Sequence, residues 1–148
     1  MSAWWERKAP DWPALRSEAM TILQREERLQ QIVQLVGPDI LPDAQRLILF
    51  IAEILKDGFL TQSAFEPKDM YASPERQVEL LRIILALYRR GRALIEAGAP
   101  LARLRQMKTV PQLVRIKNAL GNDEVDQLRE FAGRVSEELD ALAREYAR

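Results

Sequence analysis

Seven apolar residues near the C-terminus, Val125, Leu128, Ala132, Val135, Leu139, Leu142 and Tyr146, recur at intervals of 3-4-3-4-3-4. Only a helix puts residues at that spacing on one face, and over about three repeats they form a heptad seam. A seam of this length needs a surface to cover it. Docking on other helices of the same chain is the reading that follows from the general rule that an apolar stripe is core. Pairing with a helix of another chain is the alternative. Either way the chain is constrained to helix-on-helix packing.

The rest of the chain repeats that logic. A lead-in occupies residues 1–10, where the adjacent Trp4 and Trp5 would point about 100° apart on a helix. Asp11 is a good N-cap residue and Pro13 is tolerated in a first turn, so a first helix is expected from Asp11 to Val36. Leu15, Ala19, Ile22, Leu29, Val33 and Val36 mark its apolar face. Gly37-Pro38 ends it, since Gly accepts positive φ and Pro cannot continue a helix. A short loop, Gly37 to Asp43, reads GPDILPD. The run from Leu47 to Leu55 is apolar on nearly all sides, so the second helix, Asp43 to Leu60, is expected to be the buried central one. Residues 61–73 show no helical period and read as a loop. Ser73-Pro74 opens a third helix with Val78, Leu81, Leu85, Tyr88 and Ile95 on one face, and Gly98 closes it. Two short helices, Pro100–Met107 and Pro111–Leu120, precede the last one, which Asn122 is expected to cap. No alternation suggests a strand and no fixed-period repeat is present. The expectation is an all-α fold: a helical bundle of about four main helices plus short ones, spanning residues 11–148.

Chemistry is harder to find. The chain has 148 residues, enough for one domain with a real core. It contains no Cys and no His, which removes thiol chemistry, disulfides, the commonest general base and the commonest metal ligand. Lys plus Arg equals Asp plus Glu at 22 each, so no basic excess points to nucleic acid. No apolar run approaches the roughly 20 residues of a membrane span. Glycines stand at 37, 58, 91, 98, 121 and 133, and none forms a phosphate loop ending in Gly-Lys-Ser or Gly-Lys-Thr. The pairs Glu26-Glu27 and Glu137-Glu138 diverge on a helix, so solvated faces explain them better than shared catalysis. Ser17, Ser63, Ser73 and Ser136 have no His to activate them. Arg89, Arg90 and Arg92 cluster near the end of the third helix, where they suit the helix dipole; an acidic partner is the second reading. No catalytic residue and no metal ligand is assigned.

Three segments carry a resemblance: DWPALRSEAMTILQREERLQQIVQLVGPDILPD, then FLTQSAF, then MYASPERQ. In this order and spacing they resemble the C-terminal helical domain of the catalytic A subunit of vacuolar/archaeal-type rotary ATPases. The likeness runs from Trp12 to Leu104, and the tail from Lys108 matches only in helical character. The Trp4-Trp5 and Pro10-Asp11-Trp12 segment resembles the join to the family's nucleotide-binding domain, making residues 1–10 a lead-in from that absent domain.

The resemblance implies several expectations. The full subunit would hydrolyse or make ATP, with ATP and Mg held by upstream domains and no cofactor in this chain. It would sit in the cytoplasmic, soluble head of the enzyme, peripheral to the membrane, beside B subunits and the central-stalk rotor. This part would convert domain closure into rotation and proton or sodium transport. The loop Gly37, Pro38, Asp39, Ile40, Leu41, Pro42 and Asp43 would face the rotor, with Ile40 and Leu41 making contact by packing. Without the resemblance this loop is a plain connector. Phe65, with Gln62 beside it, would form a wall of the adenine pocket, by stacking and by amide hydrogen bonding. Taken alone, Phe65 reads more simply as core. Isolated, the chain would be inactive and would bind adenine very weakly, because phosphate contacts supply most of the affinity. A stand-alone helical interaction module without catalysis is the competing reading. A small enzyme using Asp/Glu chemistry is a third, but nothing singles out a pocket for it. Exchanging Gly37 to Asp43 for a Gly-Ser linker is the test the sequence suggests: helices folded, torque coupling reduced in the full-length complex.

Overall fold

The structure is a computed structural model, and it describes residues 10–56, 74–119 and 125–147. All regular elements among them are helical: α1 (Trp12–Val36), a 3-10 turn (Pro38–Ile40), α2 (Asp43–Leu55), α3 (Pro74–Glu96), α4 (Leu101–Arg105), α5 (Thr109–Ala119) and α6 (Val125–Glu145). The all-α expectation holds. The expected extension of α2 to Leu60, the loop at 61–73, the Ser73 and Asn122 caps, and Phe65 and Gln62 lie outside the described residues.

The central helix is α3, not α2. It packs against α1 and α2 on one side and α6 on the other. Val78, Leu81, Leu85 and Tyr88 are buried as the spacing predicts, but so are Leu80, Ile83, Ile84 and Leu87. The second set faces the other layer, so α3 is apolar around most of its circumference, the pattern of a helix enclosed on two sides. Its arginines obscure that pattern in the sequence. α2 is well buried through Leu47, Phe50, Ile51, Ile54 and Leu55, yet Glu53 and Gln45 on its outer face reach solvent.

The seam of α6 docks within the bundle. Leu128, Val135, Leu139 and Leu142 are buried against the core, as is Phe131, which the 3-4 spacing does not include. Phe131 widens the stripe beyond a strict heptad line, which is the broader stripe of a globular bundle helix. At Gly91 a Cβ would lie 3.2 Å from Leu104 and 3.5 Å from Leu47, so the missing side chain lets α3 approach α2 and α4 closely.

Helix ends are set by specific groups. α3 stops in a Schellman motif: Ala99 N–H donates to the Leu94 carbonyl at 2.9 Å and Gly98 N–H to that of Ile95 at 3.0 Å, with Gly98 at φ +107°. Asp11 occupies the N-cap position of α1 but makes no capping bond. Its carboxylate instead takes both Nε and Nη2 of Arg82 on α3, at 2.9 and 2.7 Å. A bidentate guanidinium is a stronger partner than a backbone amide, and it ties α1 to α3. Arg82 holds the Asp11 carboxyl below the usual carboxylate range, through hydrogen bonding first and against a smaller desolvation penalty.

The carboxylate pairs divide between core and solvent. Glu27 and Glu137 are exposed, as expected. Glu26 is buried and takes Lys56 at 2.6 Å, clamping α1 to the end of α2. Glu138 accepts from the backbone N–H of Lys108 at 2.8 Å and of Thr109 at 2.9 Å, and from the Thr109 hydroxyl. A side chain of α6 thus satisfies the first amides of α5. Helix adjacency correctly separates the members of each pair, but the solvated-face reading fails for one member of each.

Candidate functional site

The loop between α1 and α2 is a rigid corner. Gly37 takes φ +86° and ψ 158°, a combination essentially reserved for glycine, and its N–H donates to the Val33 carbonyl at 2.8 Å. Pro38, Asp39 and Ile40 make one 3-10 turn, closed by the Leu41 N–H on the Pro38 carbonyl at 3.2 Å. Pro42 takes the extended conformation and its carbonyl accepts from the N–H groups of Gln45 and Arg46, at 3.0 Å each, starting α2.

The seven loop residues serve different ends. Leu41 is buried at 6% exposure, so it is an anchor and offers no contact surface. Asp43 is equally committed: its Oδ2 accepts the Leu101 N–H at 3.0 Å and caps α4. Asp39 points to solvent. Ile40 is 65% exposed. The packing expectation for Ile40 and Leu41 therefore divides, because the chain needs Leu41 to hold the corner against the core.

Ile40 has apolar neighbours that are also exposed. Leu35 is 85% exposed, Val36 55% and Ile32 42%, all on the last two turns of α1. Val36 belongs to the expected core face, but α1 runs past the end of its support before Gly37 turns the chain. Single exposed apolar residues need no explanation; four gathered on one helix end and its adjoining corner form a contiguous apolar tip. Sequence reasoning missed Ile32 and Leu35 because the helix face it followed is the buried one. The available signal was an apolar side chain at each of two positions off that face.

The arginines of α3 are staples between helices. Arg89 pairs with Glu18 of α1. Arg90 reaches Asp140 of α6 at 2.5 Å and the Ser136 hydroxyl at 3.1 Å. Arg92 pairs with Glu96 one turn on, at 3.4 Å. Specific carboxylates on packed neighbours therefore explain Arg89 and Arg90 better than the helix dipole does. Among the described residues, no group of three or more Asp and Glu could hold a metal ion, and no helix is long and apolar enough to cross a membrane.

Comparison with known proteins supplies the family of this bundle. A sequence profile described as the C-terminal domain of V and A type ATP synthase matches residues 2–105. The chain belongs to that family. A protein named V-type ATP synthase alpha chain from Halothermothrix orenii is 40% identical over 136 residues, covering 92% of this chain and 23% of that protein. The A subunits of the A-type ATP synthases of Ignicoccus hospitalis and Methanopyrus kandleri are 37% identical over 146 residues and 38% identical over 143, covering 97% and 96% of this chain and 24% of each relative. The chain thus spans about a quarter of the length of these relatives. Their alignments also run well past Leu104, so likeness to the V/A-type family includes the tail, where the sequence motifs carry only helical character.

Proposed function

We propose that this V/A-type ATP synthase domain is a lever: it receives the motion of a nucleotide-binding domain and presses its apolar tip on the central stalk. The observation that carries the reading is the tip itself, with Ile32, Leu35, Val36 and Ile40 exposed on a corner fixed by Leu41 and Asp43. A lever needs a stiff arm and a contact surface. The 25-residue α1 is the arm, about 37 Å long at helical rise, clamped to its neighbours by Glu26–Lys56, Glu18–Arg89 and Asp11–Arg82.

In this reading ATP hydrolysis or synthesis, with ATP and Mg, belongs to the complete protein, and the coupled ion is a proton or sodium. The described residues offer no phosphate cradle: neither Gly37, Gly91, Gly98 nor Gly133 precedes a Lys-Ser or Lys-Thr pair. Phe65 and Gln62 remain the candidates for one wall of an adenine pocket. B subunits and the rotor are the expected partners, at the membrane-peripheral head.

The test is coupling in the complete enzyme. The Gly-Ser replacement of the whole loop is a poor probe, since it also removes the Leu41 anchor and the Asp43 cap. Leu35→Ser with Ile40→Ser changes only exposed atoms. It is expected to leave ATP turnover in the isolated head intact while lowering ATP-driven ion pumping in the assembled enzyme several-fold. Unchanged pumping would reject the lever contact.

A further inference from the structure

A cleft of about 360 Å³ opens where α1, α2 and α3 meet, and arginines line it from two helices. Arg25 and Arg28 stand one turn apart on α1, and Arg92 comes from α3. Among the described residues lining the cleft, none is acidic. Arg25 and Arg28 are exposed and form no ion pair among the described residues. Arg92 has a loose tie to Glu96 one turn on, at 3.4 Å between two exposed side chains. Other arginines of α3 have found carboxylates on packed helices: Arg82 has Asp11, Arg89 has Glu18 and Arg90 has Asp140. Two acids next to cleft positions in the sequence are committed elsewhere, Glu26 to Lys56 and Asp43 to the Leu101 N–H.

The floor of the cleft is formed by buried Leu29, Ile48 and Tyr88. Tyr88 is 7% exposed, yet its hydroxyl makes no hydrogen bond among the described residues and is not sealed from solvent. A buried phenol ordinarily finds a partner for its O–H. Tyr88 precedes Arg92 by four residues on α3, so one helix face delivers both to the cleft. Ala44 and Gln45 in the first turn of α2 line the cleft too, and no side chain caps that helix start. We infer that the cleft binds a small anion of two or more linked phosphoryl groups, gripped by Arg25, Arg28 and Arg92, with the Tyr88 hydroxyl donating to it. Guanidinium forks match phosphoryl oxygens two at a time. Arginines from two helices call for acceptor oxygens on more than one side of the ligand, which linked phosphoryl groups present and a lone carboxylate does not. The volume suits a ligand at the small end of the usual range, roughly 300–1,000 Å³. Bound there, the anion bridges α1 to α3 and offsets the repulsion among their unpaired arginines. The site is independent of the lever reading, since it uses neither the apolar tip nor the corner residues that brace it.

The measurement is titration of the full 148-residue chain, whose sequence holds no phosphate loop to compete for the probe, with inorganic pyrophosphate at low ionic strength. Calorimetry should show saturable one-to-one binding, and Tm should rise with pyrophosphate beyond its rise with sulfate at the same ionic strength. Arg25→Gln with Arg28→Gln is expected to weaken binding roughly tenfold or more. Tyr88→Phe changes no charge and is expected to weaken it roughly fivefold, with helical content by circular dichroism unchanged. Arg16→Gln with Arg144→Gln removes the same charge from exposed positions outside the cleft and should leave the affinity as it was. ADP is the second probe. Tighter binding than pyrophosphate, lost in the same variants, assigns the site to a nucleotide whose base lies on the apolar floor; equal or weaker binding assigns it to a free phosphate anion. Three results would overturn the inference: no saturable binding, an equal loss in the Arg16/Arg144 control, or full affinity in both the arginine and the Tyr88 variants of the cleft. A Glu-rich peptide that displaces pyrophosphate and binds more tightly would also overturn it, by assigning the arginines to an acidic protein segment.

Discussion

At the scale of single residues, the chain shows how far a side chain's role depends on what faces it. Gly91 and Gly133 both interrupt helices, yet a Cβ at Gly133 meets nothing within 4 Å while one at Gly91 meets Leu104 and Leu47. Gly133→Ala should therefore raise stability by about 0.5–1 kcal/mol in urea unfolding, because it removes backbone freedom from the unfolded chain only. Gly91→Val should lower it by about 1–3 kcal/mol through overpacking. Asp11 gives a pH prediction. Its folded pKa is depressed by Arg82, so the pair stabilises the fold above the unfolded carboxylate value of about 3.9 and the contribution is lost as pH falls through the folded value. Asp11→Asn should flatten that acid limb. Both side chains are more than a third exposed, so the contribution is at most about 1 kcal/mol and fades with salt. None of these distinctions is legible in the sequence. A glycine, an aspartate and a glutamate look alike there, whether they face solvent or a neighbouring helix far along the chain.

At the scale of elements, boundaries are legible where local chemistry sets them and obscure where tertiary contacts do. Gly37 and Gly98 end α1 and α3 as read, because positive φ is a property of the residue itself. The starts of α4 and α5 rest on Asp43 and Glu138, side chains from distant helices that no local motif reveals. Glu138→Ala should thus act on an element it does not belong to. Amide exchange at Lys108 and Thr109 should accelerate, and the domain should lose about 1–2 kcal/mol in chemical unfolding. The choice of central helix failed for a related reason. α2 advertises itself with an unbroken apolar run, whereas α3 distributes its apolar residues among arginines that reach outward to Glu18 and Asp140. Mean polarity hides a helix that is enclosed on both sides.

At the scale of the whole molecule, one asymmetry stands out. Among the described residues, the bundle buries most of its large apolar side chains, and of the exposed ones all but Met20 (Ile32, Leu35, Val36 and Ile40) stand at the end of α1 and on the corner that follows it. The proposed lever would give that end a mechanical meaning, with Leu41 and Asp43 as the braces of the corner. The loop is legible in the sequence as a place; which of its residues face outward is not, since GPDILPD alternates side chains that the fold alone sorts into anchor, cap and surface. The absence of cysteine makes the central claim directly testable. Ile40→Cys introduces a single thiol at the tip, and Gln127→Cys places one on an exposed face of α6. In the assembled enzyme on a cysteine-free background, Ile40→Cys should form a disulfide with cysteines scanned along the central stalk, at one position of the rotary cycle, while Gln127→Cys should not. A tip thiol that never cross-links to the stalk, or does so no more than the α6 control, would contradict the account.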